Sequence, residues 1–203
     1  GAESVEVLRG DPQNQTYAMP VFRYADVYLG LLMILRRGED RVHCELTWSP
    51  DTTVWKRIDP GTPLIANSEK EMAYDWGCVY AGAYPVFLEN ETRIYYGGSD
   101  GKHTSWRNGF LCLATLRPDG FAGYEPIAGG TNKTAAITTR ALAVGAGSLC
   151  VSADVAPPGY VKVAVLDKDD KPLAEGELVT TTVTDAPIQW KNGFSLKKDQ
   201  QIK

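Results

Sequence analysis

The chain has 203 residues, 43% of them hydrophobic and 10% aromatic, enough to bury a sizeable core in one or two domains. Its formal net charge of −4 offers no general basic surface for neutralising phosphates, which argues against nucleic acid or an anionic lipid surface as its main partner. The longest apolar run, Val27 to Leu35, is too short for a membrane-spanning helix and stops at Arg36-Arg37-Gly38, so no membrane role is expected.

Read in chain order, the elements are strands: short runs rich in Val, Ile, Tyr and Thr, separated by Gly, Pro, Asp and Asn. Pro20-Val21-Phe22 is followed by a polar turn at Ala25-Asp26 and the strand-like run Val27 to Leu32. Val42 to Thr47 then forms another strand that ends in Ser49-Pro50-Asp51, with Trp55 after the turn. This passage recurs 65 residues on, where Pro85-Val86-Phe87 leads to Asn90-Glu91, Thr92 to Tyr96, then Phe110 to Leu116, Pro118-Asp119 and Phe121. Between the copies, Asp59 to Glu71 carries Pro60-Gly61, Pro63 and Asn67-Ser68 and reads as a connection. Repeated units of three or four strands are the signature of β-propeller blades.

After Pro126 the texture changes to Gly129-Gly130-Thr131-Asn132-Lys133, a small polar stretch that reads as a linker. Beyond it lie short strands at Ala141–Val144, Ser148–Ala153, Val161–Leu166, Glu177–Val183 and Ile188–Trp190. The expected fold class is therefore all-β: a partial propeller of two blades over residues 1–128, then a β-sandwich-like domain over 129–203. Propellers close with roughly four to eight blades. Two blades alone leave apolar faces open, so either further blades upstream or self-association is expected. Gln201-Ile202 reads as the start of a further strand cut short where the chain stops, which would leave a sheet edge unpaired.

The four cysteines, Cys44, Cys78, Cys112 and Cys150, form no CxxC pair, and no metal or other cofactor is expected. Cys44 and Cys112 fall at equivalent apolar positions of the repeat and read as buried free thiols. Three sequons, at Asn14, Asn90 and Asn132, fit an extracellular or exported protein. Gly97 to Lys102 lacks the spacing of a phosphate loop, and no GxSxG elbow accompanies the two histidines. His43 reads as an ordinary strand residue, and nothing pairs Glu45 or Glu71 with a second carboxylate.

Ser49-Pro50-Asp51-Thr52-Thr53-Val54-Trp55 resembles the Ser-x-Asp-Gly-x-x-Trp turn of glycoside-hydrolase propellers, with Thr52 in place of the glycine. Such a turn is structural, its aspartate accepting backbone N–H bonds and its tryptophan packing beneath. With Tyr74-Asp75-Trp76-Gly77-Cys78-Val79-Tyr80, Arg93 to Gly98 and Leu113 to Phe121, the chain resembles the later blades of a five-bladed propeller related to glycoside hydrolase families 32 and 43. The tail resembles the sandwich appended to such propellers. The resemblance implies hydrolysis of a glycosidic bond by two carboxylates. Those of the family sit on the innermost strands of earlier blades, so none is carried over onto this chain, whose expected share is one wall of a sugar-binding funnel.

The candidates for that wall are Tyr17, Asp75, Trp76 and Tyr80 on or beside the first strand of each blade, and Asp100 and His103 in the loop Ser99 to Thr104. Aromatic faces stack on sugar rings and carboxylates accept hydroxyl hydrogen bonds, so a carbohydrate is the expected partner. On this reading Asp75→Ala weakens sugar binding and leaves the melting temperature nearly unchanged. The rival reading is a non-catalytic carbohydrate-binding or self-associating β module.

Overall fold

The computed structural model describes residues 3–125, 134–145 and 147–203. It is all-β, as the turn-punctuated strand runs predict. The chain divides into two compact units, Gly1–Ala122 and Gly123–Lys203. The expected linker centred on Gly129, with its sequon at Asn132, lies outside the described residues.

In the first unit, β1 (Asn14–Ala18) and β2 (Val21–Tyr24) line up end to end along β3 (Val27–Arg36). β3 then turns back through Arg37–Asp40 into β4 (Arg41–Ser49), with nine residue pairs in unbroken antiparallel register. The short β5 (Lys56–Arg57) finishes this meander on β4. β3 is buried on both faces through its middle, which is why it reads as a continuous apolar run rather than an alternating one.

The second meander repeats the plan. β6 (Cys78–Ala81) and β7 (Val86–Phe87) lie end to end along β8 (Thr92–Ser99), which pairs with β9 (Gly109–Leu116). The ladders fix the equivalence. Leu29 stands opposite Phe22 and Trp48, and Thr92 opposite Phe87 and Leu116. Four pairs along, Met33 faces Cys44 and Tyr96 faces Cys112, so the two cysteines do occupy one position of the repeat. Both are buried free thiols, as expected, and burial followed by the charge of Glu45 pushes the Cys44 thiol up to about 12. The meanders join edge to edge by a single parallel pair, Val42 with Cys78.

The core lies where the two meanders meet. Leu29, Leu31, Met33, Val42, Cys44 and Leu46 of the first pack with Val79, Ala81, Ile94, Tyr96 and Cys112 of the second. Each buried aliphatic side chain of this kind contributes roughly 1.5–3 kcal/mol. On β8 and β9 the alternate side chains, Tyr95, Leu111 and Leu113, are exposed, Leu111 by 83%. The strand period of two thus splits the second meander into a packed face and an open one.

The turn after β4 is built as the residue types require. Asp51 Oδ1 accepts from the N–H groups of Thr53 and Val54 at 2.8 and 2.9 Å, and these bonds push its carboxyl down to about 2. Trp55, buried beneath, donates its indole N–H to the Thr52 carbonyl at 2.8 Å. Thr52 itself sits at φ +71°, a left-handed conformation that a β-branched residue adopts only under strain. Thr52→Gly is therefore expected to stabilise the protein by roughly 0.5–1 kcal/mol, relief of strain outweighing the entropy that glycine loses on folding. A higher urea midpoint at unchanged slope is the expected result, and a lower midpoint would show that Thr52 makes a compensating contact.

The second unit contains three two-stranded antiparallel ladders among its described residues. These are β10 (Leu142–Ala143) with β15 (Gln201–Ile202), β11 (Cys150–Ala153) with β14 (Val183–Pro187), and β12 (Ala164–Leu166) with β13 (Pro172–Glu175). Gln201-Ile202 does form a strand, and the unpaired edge expected there is a correction to make. That segment pairs with Leu142–Ala143, a contact about sixty residues distant that no local pattern reveals. Among the described residues of the second unit, Val165, Ile188 and Ile202 are the buried apolar side chains.

Candidate functional site

Of the six sequence-predicted residues, Tyr17 and Tyr80 lie within β1 and β6 and Asp75, Trp76, Asp100 and His103 in loops of the first unit, and the structure uses them in two different ways. Ala18 and Ala81 face Met33 and Tyr96, which are equivalent in the repeat, so the preceding Tyr17 and Tyr80 hold matching positions. Their rings lie 5.6 Å apart. A register shift between Thr16 and Ala18 places Tyr17 in a bulge, a device that re-aims a side chain, and the residue is 54% exposed. His103 packs edge-on against the same Tyr17 at 5.2 Å. Tyr17, Tyr80 and His103 are thus brought together from β1, β6 and the β8–β9 loop.

His103 is held there from the other repeat. Its backbone N–H donates to the Asp40 carbonyl at 2.8 Å, and Thr104 donates to Asp40 Oδ2 through its N–H at 3.1 Å and its hydroxyl at 2.5 Å. The Thr104 hydroxyl is the main reason the Asp40 carboxyl lies below the usual carboxylate range. Arg107 secures the loop from within by donating to the carbonyls of His103 and Ser105. Sequence reasoning missed Asp40. Its one visible signal is an acidic turn residue, here at φ +56°, and its partners lie more than sixty positions away.

Asp75, Trp76 and Asp100 serve the frame. Asp75 is 5% exposed and accepts from the Tyr96 hydroxyl at 2.7 Å and from Ser68 Oγ, so both carboxylate oxygens are occupied. Asp100 closes the β8–β9 loop by accepting from Asn108 N–H at 2.9 Å and its side-chain amide at 2.7 Å, the amide bond chiefly lowering its pKa. Trp76 is half-buried, with the Arg41 guanidinium 4.9 Å from its ring centroid and Arg41 Nε donating to its carbonyl at 2.7 Å. That places a cation where a sugar face would stack. Gly77, next in the chain, is dictated by space. A Cβ there would fall 1.7 Å from the Gly101 carbonyl oxygen, so only glycine lets β6 start beneath the loop that carries His103.

A second polar cluster lies inside the first meander. His43 and Glu45 alternate on β4 and so share the face opposite the core. His43 Nε2 lies 2.8 Å from Glu45 Oε1. Arg57 on β5 reaches both Glu45 oxygens at 2.6–2.8 Å, and the Gly61 N–H adds a bond at 3.1 Å. Burial alone would raise the Glu45 carboxyl, but His43, Arg57 and Gly61 together hold it below the usual range. Glu45 is fully buried, so this network braces the meander and offers no face to a ligand. The period-two spacing of His43 and Glu45 was its legible signal; Arg57 was not.

Beside Tyr17, a pocket of about 200 Å³ is lined by Val7, Leu8, Thr16, Ala18, Met19 and Leu32. No group of three or more potential metal ligands occurs among the described residues.

No known family model matches the chain, and no curated protein does. Among solved structures the chain is similar to a glycosyl hydrolase from Bacteroides ovatus at 15% identity and a TM-score of 0.36, over 51% of this chain. The chain spans 29% of that structure's length. A score this low leaves the functional reading to the residues themselves.

Proposed function

We propose that the first unit is a pair of propeller-type blades that binds a carbohydrate at the end where Tyr17, Tyr80 and His103 converge. The observation that carries this reading is the repeat itself. The equivalent strands β1 and β6 each present a tyrosine at the same position, the two rings touch, and an anchored loop adds a histidine. An exposed ring beside groups able to donate and accept hydrogen bonds is what a sugar requires, with its apolar ring face and its rim of hydroxyls. Binding is favoured over hydrolysis by this chain alone because the acids at this end are already engaged: Asp75 by Tyr96 and Ser68, Asp100 by Asn108, and Asp40 by Thr104.

The test is titration of the protein with a panel of neutral mono- and oligosaccharides, followed by calorimetry and by saturation-transfer NMR. Tyr17→Ala is expected to weaken the bound member about tenfold, the equivalent of one ring-stacking contact of about 1.4 kcal/mol, without lowering the urea midpoint. A panel in which nothing binds, or a Tyr17→Ala protein that binds as tightly as the native one, would overturn the reading.

A further inference from the structure

Two polar atoms in the cluster have no hydrogen-bond partner. The Tyr80 hydroxyl and His103 Nδ1 are both buried and unsatisfied. An orphaned buried donor or acceptor is uncommon, and each costs stability unless something else repays it. These two come from different elements, yet the rings that carry them both pack on one side chain, Tyr17, at centroid distances of 5.6 and 5.2 Å. Asp40 Oδ1 lies 3.9 Å from His103 Nδ1, beyond hydrogen-bonding range. The Tyr80 phenol stays protonated, its pKa raised by burial and then by a weak hydrogen-bonding contact with the Cys78 thiol, which leaves its proton available to a better acceptor.

We propose that Tyr80 Oη and His103 Nδ1 form the polar floor of a sugar subsite, and that Tyr17 is its movable cover, turning aside to stack on the ligand. The occupant is a neutral sugar or polyol presenting two neighbouring hydroxyls, one to each orphaned atom. Tyr17 is suited to move: it sits in a bulge, more than half its surface is in solvent, and the 200 Å³ pocket it lines adjoins it. Asp40 is the positioning residue, since its carboxylate and carbonyl fix the loop that carries His103.

This inference rests on the carbohydrate reading, and its test separates the two. The protein, labelled with ¹⁵N in its histidine rings, is titrated with the sugar that the calorimetric panel identifies. The chain has only two histidines, and the other, His43, is buried against Glu45, so the ring signals of His103 can be assigned by comparison with His103→Gln. The expected result is a shift of the His103 Nδ1 resonance on binding, and five- to twenty-fold weaker binding by Tyr80→Phe at an unchanged urea midpoint. Binding that leaves the His103 ring signals still, or that Tyr80→Phe does not weaken, would overturn the subsite while leaving the carbohydrate reading in place. Failure of every sugar in the panel to bind would overturn both.

Discussion

Replacing Glu45 by Ala is expected to destabilise the first unit by about 3–5 kcal/mol, the usual cost of removing one partner from a buried ionic network. The carboxylate is wholly buried and satisfies His43, Arg57 and the Gly61 N–H at once. Without it, His43 is left buried beside an unpaired guanidinium, although Arg57 can recover part of the loss by turning its partly exposed tip toward water. Urea unfolding followed by tryptophan fluorescence measures the loss. The acid limb gives a second readout. The folded-state pKa of Glu45 is lowered, so its contribution is fully present above the unfolded carboxylate value of about 4.3 and is lost as pH falls through the folded value. Glu45→Gln should therefore flatten the fall of stability below about pH 4 relative to the native chain. An unchanged urea midpoint in Glu45→Ala would mean that the network stabilises nothing.

Asp75→Ala is the second large effect, and its direction reverses what the sequence suggests. Read from the chain, Asp75 beside Trp76 is a sugar-facing carboxylate whose loss spares folding. In place, its two oxygens bridge Tyr96 on β8 and Ser68 in the connection between the meanders, and Asn67 donates to its backbone carbonyl at 3.1 Å. The burial of Tyr96, and then its bond to Asp75, raise the phenol's pKa, so it remains a donor at every ordinary pH. Removing the carboxylate strands a buried hydroxyl and frees the connection, at an expected cost of about 2–4 kcal/mol. Tyr96→Phe removes one of the same bonds and should cost about 1–2 kcal/mol. An Asp75→Ala protein with native stability and reduced sugar affinity would restore the binding role.

Asp75 and Tyr17 together mark the limit of sequence reading at the site. Both belong to the predicted set, Tyr17 within β1 and Asp75 just before β6. Residue type cannot say whether a carboxylate faces a ligand or a neighbour, because that depends on Ser68 and Tyr96, seven and twenty-one positions away. The meeting of Tyr17 with Tyr80 and His103 likewise needs two meanders laid edge to edge. The sequence repeat pointed to matching strands, but the bulge at Tyr17 and the loop anchor at Asp40 are products of register and packing.

Strand content, the duplicated meander, the Ser49–Trp55 turn and the buried thiols at Cys44 and Cys112 were determined by the sequence alone. Each depends on local chemistry: alternation, turn residues with their own backbone partners, and matched apolar positions. The tertiary structure alone decided that β15 pairs with β10, that Glu45 is enclosed by His43 and Arg57, and that two side chains with unsatisfied polar atoms pack on one exposed tyrosine. The β10–β15 pair and the meeting of Tyr17 with Tyr80 and His103 join residues roughly sixty or more positions apart, and Arg57 reaches Glu45 from the neighbouring strand. Their energies depend on burial and on distances of a few ångströms, which folding sets and a linear pattern does not carry.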